Sequence, residues 1–278
     1  MSQVTKTYEH ELTAWHKARE EAIKSPDGWL RLAGLYWLEE GANSFGSDPS
    51  NSIVFPVGKA APQMGTILVE HGRISTKILP DVIVTHQDEP ITTLELRTDR
   101  DEGGPTILSH GLLSWFVISR DGRFAIRLKD LESPYLAQFS GIDTFPFDPT
   151  WRIPAVFEPY DPPKEVPVPN ILGNVNIQLS PGALVFTVDG QTQRIDVLNT
   201  LEYPSIIFAD ATTTKETYGG GRFLIVDPIN PAGENFVDFN KAINPPCAFS
   251  PYATCPLPPP QNRLPVPIYA GEKTYHYH

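Results

Sequence analysis

The stretch Trp115–Leu128 reads WFVISRDGRFAIRL, and its reading decides the fold class. On both sides of Asp121-Gly122, apolar and polar residues alternate, the period of a half-buried strand. Asp-Gly is a favoured pair for a two-residue hairpin turn, because both central positions take positive φ. Two antiparallel strands are therefore predicted. Working outward, ALVFTVDGQTQRIDVL (Ala183–Leu198) repeats the arrangement around Asp189-Gly190, and GTILVEHGRISTKIL (Gly65–Leu79) repeats it around His71-Gly72. SIIFAD, RFLIVD and NFVDF add short strands after residue 200. No long helical period follows residue 40, which argues against a parallel α/β sheet. The expectation is a mainly β protein with an N-terminal helix, two antiparallel β units built as a sandwich or barrel, and a C-terminal proline-rich wrap.

The helix is read from residues 7–24, where Leu12, Trp15, Ala18, Ala22 and Ile23 fall at helical spacing before Pro26 and Gly28 stop the element. His10 and His16 lie on it and read as solvated. His71 reads as a turn residue, and His86 and His110 as loop residues. The aromatic segment Trp29–Leu38 follows. Proline marks the rest of the organisation. Of 29 prolines, six fall in Pro154–Pro169 and nine in Pro245–Pro267. The first cluster is poor in backbone donors and reads as an extended crossing segment rather than a central strand. The second carries Phe249, Tyr252, Leu257, Leu264 and Ile268, so it reads as a wrap over a core. These signals divide the chain into residues 1–40, a first β unit at 41–150 and a second at 151–278.

Composition narrows the class. The chain has 278 residues, 40% hydrophobic and 20% charged, with a net charge of −11. It is globular, and its charge argues against a nucleic-acid partner, which needs clustered Lys and Arg. The N-terminus lacks the apolar core of a signal peptide and no stretch reaches membrane-spanning length, so a soluble, cytoplasmic protein is expected.

Two long stretches resemble a bacterial family catalogued as domain of unknown function 1684. They are FADATTTKETYGGGRFL (208–224) and DFNKAINPPCAFSPYATCPLPPPQNRLPVPIYAGEK (238–273). GWLRLAGLYWLEEGANSFGSDPSNSIVFP and DTFPFD resemble it too. The resemblance implies no activity, substrate or cofactor. Within the first unit, FGSDPSNSIVFP is similar to the first signature of forkhead-associated domains. Such domains hold phosphothreonine with an Arg after the glycine and a Ser with a nearby His. Here Ser47 follows Gly46, and the later stretch Ala61–Val69 lacks those groups. A similar sandwich is therefore implied for 41–150, without phosphopeptide binding.

Candidate chemistry gathers in the second unit. Asp210, Glu216, Tyr218, Gly220 and Arg222 lie within one short stretch, where three consecutive glycines allow close backbone approach and an anion-binding nest. The competing reading is a tight turn whose Arg222 pairs internally with Asp210 or Asp238. Period-two alternation places Asp238 and Asn240 on one strand face, and Asp238 with Glu216 would make a carboxylate pair for acid–base work. Alternatively Asn240 and Asn244 cap the turn into Asn-Pro-Pro. Arg263 serves either to satisfy carbonyls or to grip an anion. Arg123, Arg127 and Lys129 form a basic stripe expected to pair with Asp130 and Glu132. Cys247 and Cys255 are too far apart in sequence for a tight zinc pair, and His276 and His278 sit at the chain end, so no metal is expected. They read as residues that pin a loop, with Cys247 as a nucleophile the alternative. No cofactor is expected. Three functions stay open: binding of a small anionic or hydroxylated molecule through Asp210, Glu216, Tyr218, Gly220, Arg222, Asp238, Asn240 and Arg263; hydrolysis by a carboxylate or Cys247; and a structural or interaction module without ligand.

Overall fold

A computed structural model of the chain describes residues 3–275, so His276 and His278 lie outside the described residues. The chain is mainly β with an N-terminal helix, Gln3–Lys24, and three open sheets; no sheet among the described residues closes into a barrel. It divides into two compact units, residues 24–137 and residues 3–23 with 138–275.

In the 24–137 unit, Leu113–Arg120 and Arg123–Asp130 pair antiparallel with Arg120 opposite Arg123, and Asp121 and Gly122 take φ of 53° and 75°. This is the turn expected from Asp-Gly, because two positive φ values match the twist of the strands they join. Gly65–Glu70 and Arg73–Ile78 form the second hairpin. Their inward residues meet Phe45, Ile53, Phe55 and Trp115 in one apolar core. Gly46 lies so close to Pro62 that a Cβ would stand 2.3 Å from its carbonyl oxygen. The basic stripe is split: Lys129 pairs with Asp27 at 2.7 Å, Arg123 stacks on Trp37 and Arg127 is buried. Asp130 and Glu132 face Lys59 instead.

The other unit is built on the hairpin Val175–Val188 and Gln191–Asn199, extended by Pro204–Phe208, Arg222–Ile225 and Ala242–Ile243. Pro154–Pro169 is not a crossing segment but the body of an 18-residue strand, Arg152–Pro169. Its far edge pairs with Asn235–Asp238 only over Arg152–Ala155. Beyond that point it is an edge strand, where missing proline N–H groups break no ladder, and the register shifts between Pro159 and Lys164. Residues 263–270 then run extended, with Leu264, Val266, Ile268 and Ala270 buried in the core and the residues between them turned outward. The proline-rich wrap is thus an extra layer bonded beside Ala209, which donates to Asn262 and accepts from Leu264.

The helix presents a face the apolar pattern does not describe. Ala18 and Ala22 are exposed, whereas Leu12 and Ile23 are buried and Tyr8, His16 and Arg19 bond to the rest of this unit. Three of these five are polar, so the docked stripe is a hydrogen-bonding one. Arg19 donates to Asn244 O at 2.9 Å and pairs with Glu272 at 3.2 Å, while Glu20 accepts from Ile142 N at 2.9 Å.

Candidate functional site

The residues singled out in the second unit divide into three groups with different chemistry. The first is a buried knot. Arg222 Nη2 lies 2.9 Å from Asp210 Oδ2, and both side chains are at most 1% exposed. The guanidinium also donates to the Ala270 and Ile268 carbonyls of the wrap and lies over the Phe208 ring. Asp210 Oδ1 accepts from Thr212 N, Thr212 Oγ1 and Ile268 N. Burial lowers the Arg222 pKa while Asp210 opposes it. The preceding Gly221 has φ of 82°, and a Cβ there would stand 2.6 Å from Phe208 O. The chain can therefore turn into this knot only without a side chain. Glu216 and Arg263 sit outside it on the surface. Buried Asn262 ties the proline-rich segment to the neighbouring strands by donating to Asp196 O and Ile207 O, and Arg263 reaches Pro258 O within the segment at 3.4 Å.

The second group surrounds Asp238. Its carboxylate caps the turn Phe239–Lys241 by accepting from Asn240 N, and the Tyr8 hydroxyl stands 2.6 Å from both its oxygens. Asn240 Nδ2 donates to Asp148 O at 3.0 Å and Asn244 Nδ2 to Lys273 O at 2.7 Å, so both amides tie distant segments together. Burial first, then the bond to Asp238, raises the Tyr8 pKa, and the phenol keeps its proton as the donor. His16, expected to be solvated, is half-buried and bonds the Asn240 backbone; burial lowers its pKa. Over this group opens a cleft of about 450 Å³ lined by Thr7, Tyr8, Glu11, Arg152, Asp227 and Lys241. Arg152 is steered into place by the Phe236 ring, 4.0 Å from its guanidinium carbon. A smaller hollow of about 130 Å³ adjoins His16, Thr13, Thr144 and Asn240. Asp238 and Glu216 are not drawn together, since Asp238 faces the helix and Glu216 is exposed on the turn after Thr212.

Tyr218, Gly220, Cys247 and Cys255 form the third group. The Tyr218 ring lies against Gly220, where a Cβ would stand 2.6 Å from ring atom Cε1. Its hydroxyl donates to Cys247 O at 3.2 Å, and Cys247 N donates to Cys255 Sγ at 3.1 Å. No disulfide joins the two thiols. Among the described residues, no three His, Cys, Asp or Glu side chains gather so as to hold a metal ion.

The 24–137 unit has a larger hollow of about 700 Å³, but it lies over strands Gly65–Glu70 and Arg73–Ile78, where Thr66, Leu68, Thr76 and Leu94 supply mostly apolar or hydroxyl surface. Lys77 and Glu95 also line it, and Glu70, Arg73 and Glu95 line a neighbouring hollow of about 460 Å³; the cleft at Tyr8 joins two cations to two carboxylates.

Residues 137–273 match the family model described as protein of unknown function (DUF1684). This segment belongs to that family. The DUF1684 segment holds every second-unit residue named above except those of the N-terminal helix. No curated protein matches the chain. Among solved structures, the chain is similar to an uncharacterised protein of Haloarcula marismortui, at 29% identity over 51% of this chain and 80% of that one, with a TM-score of 0.43. It is also similar to the FhaA forkhead-associated domain complexed with the intracellular domain of Rv3910, at 16% identity over 36% of this chain and 96% of that one, TM-score 0.25. A structure of phosphothreonine-dependent forkhead-associated domain interactions matches at 15% identity over 34% and 92%, TM-score 0.24. No helix among the described residues is long and apolar enough to cross a membrane.

Tyr8, His16 and Arg152 were not singled out as site residues by sequence reading. Tyr8, Leu12 and His16 are four residues apart, so one signal was present: a helical stripe whose polar members match its apolar one.

Proposed function

We propose that the DUF1684 segment and the N-terminal helix together bind a small hydroxylated molecule in the cleft above Asp238. The observation that carries this reading is the balance of the cleft. Arg152 and Lys241 offer donors, Glu11 and Asp227 offer acceptors, and the four converge on one hollow beside the Tyr8 ring. A hydroxyl both donates and accepts, so a polyol or sugar-like ligand uses such a mixed lining fully, whereas a simple anion would use only half of it. The Tyr8–Asp238 bond beneath supplies a floor, in which Asp238 is held further by the Asn240 backbone N–H.

The test is calorimetric titration of the full chain with a panel of neutral monosaccharides, sugar phosphates and simple dicarboxylates. Saturable binding of a neutral sugar, weakened at least tenfold by Arg152→Ala and by Asp227→Asn, is the expected result. Binding of only the phosphates or dicarboxylates, unchanged by Asp227→Asn, would replace the hydroxylated ligand with an anion. Binding that survives both substitutions would move the site elsewhere.

A further inference from the structure

Cys247 is half-buried and Cys255 is buried; the short turn Pro246–Ala248 carries Cys247, whose backbone N–H donates to Cys255 Sγ at 3.1 Å. The loop between them is anchored at its end, where Cys255 O accepts from Ile171 N at 3.0 Å and Leu257 N donates to Pro169 O at 2.7 Å. Above Cys247 stands Tyr218, which can lie there only because Gly220 has no side chain. A half-buried cysteine, a buried thiol beside it and a fixed hydroxyl are the parts of a dithiol that reacts with an oxidant and closes on itself.

We propose that Cys247 is a peroxide-reactive thiol and that Cys255 resolves its oxidation to an intrachain disulfide. In the first step the Cys247 thiolate attacks one peroxide oxygen. An S–O bond forms, the O–O bond breaks, and the departing hydroxide takes a proton to become water. Cys247 is then a sulfenic acid. In the second step Cys255, as thiolate, attacks Cys247 Sγ. The S–S bond forms, the S–O bond breaks, and the hydroxide leaves as a second water after protonation. Two thiols have lost two electrons, and the peroxide has gained them.

The surroundings favour the first step at neutral pH. The Cys255 thiol first, and the Tyr218 hydroxyl after it, stabilise the Cys247 thiolate against the opposing effect of burial, bringing its pKa down to about 7. At pH 7 roughly half of Cys247 is then ionised, against a few per cent of an ordinary thiol. A thiolate of lower pKa is also a weaker nucleophile, so the net gain in rate at pH 7 is only about threefold. The position of the pH profile is therefore the sharper signature.

The experiment uses the reduced full chain, treated with one equivalent of hydrogen peroxide and quenched with iodoacetamide. The expected result is a denatured mass about 2 Da lower and a peptide joining Cys247 to Cys255. Cys255→Ser is expected to stop at a sulfenic acid on Cys247, trapped by dimedone. Alkylation of Cys247 without peroxide should be half-maximal near pH 7 and move upward in Tyr218→Phe, a shift that a merely packing tyrosine would not cause. Full alkylation of both cysteines after peroxide would overturn the proposal. So would disulfides between chains alone, or dimedone labelling of Cys255 in Cys247→Ser at the rate of Cys247 in the other variant.

Discussion

Replacing Arg222 by methionine keeps an unbranched stem about as long as arginine's to Nε and removes the charged guanidinium from a place that water does not reach. Asp210, whose own side chain is fully buried, would keep its bonds from Thr212 and Ile268 but lose its counter-ion. The Ala270 and Ile268 carbonyls would lose their donor at the same time. Breaking one side of a buried pair costs about 3–5 kcal/mol, most of it the penalty of the charge left behind. For a unit of this size each kcal/mol moves Tm by about 2–4 °C, so the drop should be roughly 6–20 °C. Thermal melts followed by circular dichroism measure it, with Asp210→Asn and the double variant completing a cycle. The double variant leaves no uncompensated charge, so its loss should fall short of the sum of the singles by about 1 kcal/mol or more. Single variants melting within about 2 °C of the parent, or strictly additive losses, would refute the buried-pair account. Ligand affinity at the cleft, measured below the lowered Tm, should be unchanged.

Other consequences follow from the same contacts. Tyr8→Phe takes the donor from Asp238 and should cost about 1.5–3 kcal/mol in urea unfolding, the range for a hydrogen bond to a charged group; no change would mean that the bond contributes nothing. His16 has a folded pKa below its unfolded value of 6.5, so the unfolded chain binds its proton first as pH falls. Its contribution is fully present above pH 6.5 and fades below it, with Glu20, Arg19 and Asp238 the charges around it. The stability difference between the parent and His16→Gln should therefore shift in favour of the variant between pH 7.5 and 5, and a constant difference would contradict it. Gly221→Ala forces a side chain into positive φ and against Phe208 O and Pro258; it should cost about 1–3 kcal/mol from strain alone and lower Tm.

The strands were readable because their signal is local. Alternation around Asp121-Gly122 and Asp189-Gly190 specifies both which residues turn inward and where the chain reverses, and a two-residue turn sets the register by itself. The buried apolar members of the wrap, Leu264 and Ile268, were readable for a similar reason: a solvated linker has no use for them. Arg152–Pro169 misled because proline content reports missing donors and not whether a partner needed them. Only the short reach of Asn235–Asp238 makes most of that strand an edge.

The candidate residues were legible as a set, but not as sites. Sequence proximity put Asp210, Tyr218 and Arg222 together, whereas the fold sends Arg222 inward to Asp210 and Tyr218 across to Cys247. Asp238 meets its partner, Tyr8, 230 positions away. The chain's residue types and periods alone determined a mainly β protein, its hairpins, its helix and its wrapped C-terminal segment, since each rests on steric rules acting over a few residues. Which polar groups meet, which are buried and which line a cleft was decided only by tertiary structure, because a charge takes its chemistry from neighbours brought close by the whole path of the backbone.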